Sequence, residues 1–393
     1  MDRIQHQKGI SLTKNFMRYI LIPCLTLLAL TSCQHDEEAT DKHMDATLDA
    51  ITWDEIAANP SYQTFLSHKK LPPFPAEKLD SLKDNTLEAH QLCSRLTNLP
   101  PFGKTLDEDT REELNKLKPT LSQLLGTPTS TLDLDQYDLS KLTKEETALA
   151  ARYYQLCCLD MYAFGDLPQD GVLARLSRLI SLDLAFRNSG NLELMHYSKT
   201  VCYKHIIGML YQIKERHPAL ASSMAENQTL APWFHPDVDQ CFLQEIYHRL
   251  ETELAASPDN PQSLKKTALV NTELFQAYAD GKDINRELVT RFSTAAEAQN
   301  LSKMYAQGVL ADYLYLCYYQ SILKLSKATL LYESETHQLP GYPNEWKNDL
   351  GQDLQIIDQA GRPTLYYQGL NATDDNGKGG PSIQSPDWVL PYQ

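Results

Sequence analysis

A chain of 393 residues, 42% hydrophobic and 22% charged, is long enough to bury a sizeable core. Its net charge of −15 argues against nucleic acid as a partner, because phosphate backbones demand clustered Lys and Arg. Eight cysteines spread over that length are too sparse for a disulfide-stapled scaffold, and no CxxC or Cys/His spacing suggests structural zinc.

The first eighteen residues carry Arg3, Lys8, Lys14 and Arg18 against a single Asp2. Tyr19 to Leu30 is apolar, contains Pro23, and falls short of the ~20 residues needed to span a bilayer. This is the layout of a cleavable signal segment. The run Leu30-Thr31-Ser32-Cys33 that closes it resembles the lipobox of bacterial lipoproteins processed by signal peptidase II. The resemblance implies cleavage before Cys33, diacylation of its thiol and acylation of the new amino terminus by a palmitate-type chain. Residues 1–32 are thus expected to be a signal peptide, and two or more acyl chains anchor a protein stably. Gln34 in place of Asp implies the outer membrane of a Gram-negative envelope, periplasmic or surface face undecided. Residues 33–45, with His35-Asp36-Glu37-Glu38, read as an acidic tether, and also resemble the export tags of some surface lipoproteins. Removing four basic residues and one acid takes the charge from −15 to −18.

Residues 46–338 predict a helical domain. Amphipathic stretches at 47–58 and 76–96 flank the Pro-rich segment 71–75, and 106–125 follows. A polar stretch at 126–142 marks a candidate sub-boundary. Thr143 followed by Glu146 makes a capping box before an apolar run at 148–162. Further helices are expected at 170–186, 192–216, 237–256, 263–279 and 284–298. The longest is expected at 301–337, with Leu301, Tyr305, Val309, Leu316, Tyr319, Leu323 and Leu330 at helical spacing. Tyr313, Tyr315 and Tyr318 widen its apolar surface. They are candidate ligand-binding residues of a glycan or peptide patch, and core packing is the alternative reading.

Residues 339–393 change character. The β-prone runs 354–357 and 364–367 flank a Gly/Pro turn and predict a hairpin. An Asp/Asn/Gly-rich loop at 369–380 and the segment Asp387-Trp388-Val389-Leu390 complete the tail. This order resembles the C-terminal region of major pseudopilins of type II secretion, and more closely the end of uncharacterised membrane-anchored bacterial proteins. A pseudopilin has a prepilin leader running straight into its apolar helix, unlike this chain, so pilus polymerisation is not implied. The resemblance implies a calcium site, with Asp374, Asp375, Asn376 and Asp387 as the matching ligands. Their own backbone is the competing partner for these side chains.

Other acid clusters are weaker. Asp133, Asp135 and Asp138 lack the glycine and distal Glu of a calcium loop. His235, Asp237, Asp239 and Cys241 gather at a helix start, without an HExxH motif. His196 and His205 are not an i, i+4 pair. There is no GxSxG, P-loop, GxGxxG or SxxK arranged before a helix, so no catalytic residue is assigned.

The fold expected is mainly α, an irregular multi-helix bundle or array with a small C-terminal β-hairpin and an Asp/Asn/Gly-rich loop. The function expected is a non-catalytic, lipid-anchored envelope scaffold or binding module. Its partners would be the membrane and an envelope protein. An accessory of a secretion or surface-assembly system is one alternative. A glycan-capturing surface lipoprotein resembling the SusD group is the other.

Overall fold

Thr143 starts the first strong core helix as its sequence dictates. Its hydroxyl oxygen accepts the Glu146 backbone N–H at 3.2 Å, and its own N–H donates to the Glu146 carboxylate at 2.7 Å. Two donors that a helix start leaves unpaired are thereby satisfied. The computed structural model describes residues 107–125, 137–164, 169–216, 231–256, 274–282, 284–290, 303–332, 343–359, 362–371 and 373–390, with isolated positions between them. Cys33, the leader, the tether and the expected helix at 47–58 lie outside the described residues.

The protein is mainly α with a small C-terminal sheet. Helices α1 (Glu108–Leu125), α2 (Lys144–Ala163), α3 (Gln169–Arg187), α4 (Leu192–Tyr197), α5 (Tyr203–Arg216), α6 (Ala231–Phe234), α7 (Val238–Ala256) and α8 (Lys303–Leu331) follow in chain order. Each longer one falls within a few residues of its apolar periodicity. The expected helices at 263–279 and 284–298 are described only over 274–279 and 286–290, both helical. No helix among the described residues is long and apolar enough to cross a membrane.

Two apolar clusters organise this body. The larger draws Leu121 from α1, Leu156 from α2, Leu179 from α3, Ile207 from α5, Trp233 from α6 and Ile322 from α8. Leu139 joins it too, so the polar stretch at 126–142 does not divide the core there. The smaller joins Phe242 of α7, Phe275, Val289, and Val309 to Cys317 of α8. Helix α8 therefore threads both, changing cluster between Cys317 and Tyr318.

The tail forms a four-stranded sheet in the order β1-β2-β4-β3. The hairpin pairs β1 (Gln355–Gln359) with β2 (Arg362–Gln368), Gln359 opposite Arg362. Strand β4 (Asp387–Val389) lies antiparallel to β2 and parallel to the two-residue β3 (Gly379–Gly380). β3 falls within the stretch expected as an Asp/Asn/Gly-rich loop, and the close packing of backbones explains its composition. A Cβ on Gly379 would sit 1.8 Å from the Asp387 carbonyl oxygen, so only glycine admits this approach. Leu365, Tyr367, Trp388 and Leu390 join the larger helical cluster. The tail thus packs into the core as part of the body.

The turn between α3 and α4 is equally demanding. Gly190 has φ +68°, and a Cβ there would lie 2.5 Å from Nε2 of His248 on α7. Gly190→Ala is expected to lower stability by about 1–3 kcal/mol, combining left-handed strain with overpacking. A chemical-denaturation midpoint unchanged from the wild type would show that the turn relaxes without cost.

Candidate functional site

Among the described residues the most chemically loaded feature is a seam of buried and half-buried charge carried by α3, α7, α8 and the joint between α4 and α5, built around an irregularity in one helix. Helices α4 and α5 are joined by a π-turn, Ser198–Cys202, in which the Tyr203 N–H reaches back five residues to the Ser198 carbonyl. Such single turns are rare and displace the helix register. Two carbonyls of this stretch are met by tyrosines from neighbouring helices. The Tyr154 hydroxyl donates to the Cys202 carbonyl at 2.9 Å, and that of Tyr315 to the Lys199 carbonyl at 3.3 Å. The turn also buries both Ser198 and Lys199.

At one end of the seam is Asp183, fully buried on α3. It accepts the Ser198 hydroxyl at 2.5 Å and the Trp233 indole N–H at 2.6 Å, and pairs with Arg187 one turn on at 3.3 Å. Arg187 in turn donates to the Tyr319 hydroxyl at 2.7 Å. Burial pushes the Asp183 carboxyl up, against the opposing pull of Arg187, Ser198 and Trp233. At the other end Lys199 pairs with Glu245 of α7, and Arg249 bridges Glu245 at 3.7 Å and Asp312 of α8 at 2.5 Å. Burial and the adjacent Glu245 carboxylate raise Asp312, against the pull of Arg249 and Lys199. Three acids and three bases alternate through the seam and neutralise one another.

What this can do chemically is narrow. Ser198 is 0% exposed and its hydroxyl donates its hydrogen bond to Asp183, so a substrate has no approach to the hydroxyl. Burial drives the Cys157 and Cys241 thiols up to about 12 and about 11, which keeps them protonated and unreactive. A second buried ion cluster, Asp160 with Arg175 at 2.9 Å and Arg178 at 2.6 Å, fastens α2 to α3. Burial raises the Asp160 carboxyl while both guanidiniums draw it down.

Two histidines, His205 and His235, are lowered to about 4 and give the body a pH response, and His205 is the buried one of the two. Burial, reinforced by the charge of Lys204, lowers His205 from its ordinary value of 6.5 to about 4. The unfolded chain then takes up this proton first, so stability is fully present above pH ~6.5 and is lost as pH falls toward 4. The loss is on the order of 3 kcal/mol. His205→Gln removes it, so the stability gap between wild type and variant should shift by that amount across this window in pH-resolved denaturation. Parallel pH profiles would contradict the assignment. Asp183 and Asp160, raised by burial, act in the opposite sense and are common to both proteins.

The residues expected to carry function are placed as follows. Tyr313 and Tyr318 are 1% and 2% exposed, and Tyr315 is half-buried. Tyr313 donates to the Ile284 carbonyl at 2.8 Å, and Tyr318 packs edge-on to Trp388 at 5.2 Å. The stripe is core packing and corrects the expectation of an open aromatic patch: α8 is covered by α7 on one side and by the tail sheet on the other. Asp374, Asp375 and Asn376 lie in one loop beside Asp387 of β4, and the three carboxylates accept hydrogen bonds from within the tail. Asp374 accepts the Tyr366 hydroxyl at 3.0 Å and the Asn376 N–H at 2.8 Å, and Asp387 accepts the Gly377 N–H at 2.8 Å. Asp375 accepts the Asn371 side-chain amide at 3.2 Å. Burial raises the Asp387 carboxyl. Each of the three carboxylates is thus engaged by donors of the tail itself. Among the described residues no group of three His, Cys, Asp or Glu is placed to hold a metal ion.

The remaining clusters also disperse. Asp138 accepts the Ser140 N–H at 3.0 Å, whereas Asp133 and Asp135 lie outside the described residues. Asp237 caps α7 through the Gln240 N–H at 2.9 Å, Asp239 accepts the Ile284 N–H at 3.0 Å, Cys241 is buried, and His235 faces Lys327. The charge seam itself had one signal in the sequence, isolated charged residues such as Asp183 inside apolar runs. No protein-family model, no curated protein and no solved structure matches the chain.

Proposed function

We propose that this chain is a non-catalytic, lipid-anchored protein of the cell envelope, acting as a scaffold or binding module. The observation that carries the reading is the leader itself: a basic segment, a short apolar segment and the Leu30-Thr31-Ser32-Cys33 run in the order a lipobox requires. The character of the body supports it. Its charged core groups are committed to one another, Ser198 is closed to solvent, and the buried thiols are held protonated. Buried pairs of this kind serve specificity of packing more than net stability, which suits a body whose task is to hold a shape. Anchoring by two or more acyl chains needs no membrane-spanning helix. The glycan-capture alternative is not carried forward, because Tyr313 and Tyr318 are core residues.

Replacement of the anchoring thiol tests the reading in cells. Cys33→Ala is expected to leave the membrane fraction and to take up no labelled fatty acid, whereas the wild type stays with the membranes and takes up the label. A variant that still partitions with membranes as the wild type does would overturn the anchor.

A further inference from the structure

The carboxy-terminal half of α8 carries a feature that the scaffold reading does not use. Lys324 and Lys327 lie three residues apart and so share one face of the helix, where two like charges repel. His235, immediately after α6, stands against them: Lys327 Nζ is 2.8 Å from His235 Nε2. Lys324 Nζ donates to the Lys347 carbonyl oxygen at 2.6 Å, which brings a third lysine backbone to the same place. Among the described residues neither Lys324 nor Lys327 forms an ion pair. Glu345 and Asp349 act on Lys327 and Lys324 through space without pairing with them.

The donor inventory is lopsided. An ammonium has three N–H donors and no acceptor, so each lysine keeps two donors beyond the bond it makes. With Nε2 accepting from Lys327, the remaining N–H of His235 is on Nδ1, a further donor. Partial burial, and for His235 the two lysines as well, lowers the charged form of all three groups. In a chain of net charge −15, a group of donors drawn from α8 and from the residue after α6, with no ion-paired acid among the described residues, is poised for an incoming anion.

We propose that Lys324, Lys327 and His235 form a binding site for a phosphate-type oxyanion, either free phosphate or the phosphomonoester of a larger molecule. A tetrahedral oxyanion presents several acceptor oxygens and can take donors from all three residues at once. The site is independent of the lipid anchor, so its failure would leave the proposed function standing.

The test is calorimetric titration of the full-length chain, in neutral detergent at pH 7 and constant ionic strength, with inorganic phosphate. Saturable binding of about millimolar affinity is expected, weakened roughly tenfold by the double change Lys324→Gln/Lys327→Gln. Lys116→Gln, an exposed site on α1, should leave it unchanged. The single variants Lys324→Gln and Lys327→Gln, checked for wild-type thermal unfolding, serve if the double variant does not fold. A parallel titration with glycerol 3-phosphate separates the sources. Tighter binding than phosphate assigns a phosphomonoester, and equal binding assigns the free ion. Heat that never saturates, or equal weakening by Lys116→Gln, would overturn the site.

Discussion

Asp183→Ala is expected to destabilise the protein by about 3–5 kcal/mol, because it strips a fully buried guanidinium of its counter-ion. Arg187 is 3% exposed and would keep only the Tyr319 hydroxyl, while Ser198 and Trp233 would each lose an acceptor. A buried donor left unsatisfied adds its own desolvation cost. Much of this loss belongs to the orphaned charge and little to the net worth of the pair. The double change Asp183→Leu/Arg187→Met should therefore recover most of it. Equilibrium denaturation of the two variants against the wild type reads both quantities. A single variant that unfolds within ~1 kcal/mol of the wild type would show that the seam is not a structural joint. So would a double variant worse than the single one.

Trp388→Ala is expected to cost about 3–5 kcal/mol and to loosen the whole body together with the tail. The indole is completely buried, packs edge-on to Tyr318 of α8, and donates to the Ile383 carbonyl at 3.4 Å. Beside it the Tyr367 hydroxyl donates to the Trp346 carbonyl at 2.5 Å, tying β2 to the turn that follows α8. Because these side chains belong to the same cluster as α2, α3 and α5, the cavity left by the indole lies in the shared core. Thermal unfolding followed by helical signal should shift down in one cooperative step. Limited proteolysis within 339–393 should rise at the same temperature. Cleavage of the tail with an unchanged helical transition would mean that the tail is a separate appendage.

Much of this architecture was legible in the sequence where local physics decides it. The Thr143–Glu146 box is a contact between residues three apart, and its geometry is fixed before any tertiary structure forms. The hairpin was legible for the same reason, since β-prone runs around a Gly/Pro turn specify a register on their own. Where partners are distant in sequence, the reading failed. Residues 192–216 look like one helix because a π-turn leaves no mark in apolar spacing. It is sustained by tyrosines from α2 and α8 that no local pattern reveals. Tyr313 and Tyr318 look the same whether they line a groove or a core, and only the packing of α7 and β4 against α8 decides. The pseudopilin resemblance makes Asp387 a candidate metal ligand, and local sequence carries no sign of which partner its carboxylate takes. Its pairing with the Gly377 and Asp375 N–H groups is set by the close approach of β3 to β4.

The most direct measurement of the central claim is the mass of the amino-terminal peptide of the protein purified from membranes. The expected chain begins at Cys33, with a diacylglyceryl group on its sulfur and an acyl chain on its amino nitrogen. An amino-terminal peptide that retains residues 1–32, or one with Cys33 as a free thiol, would contradict it.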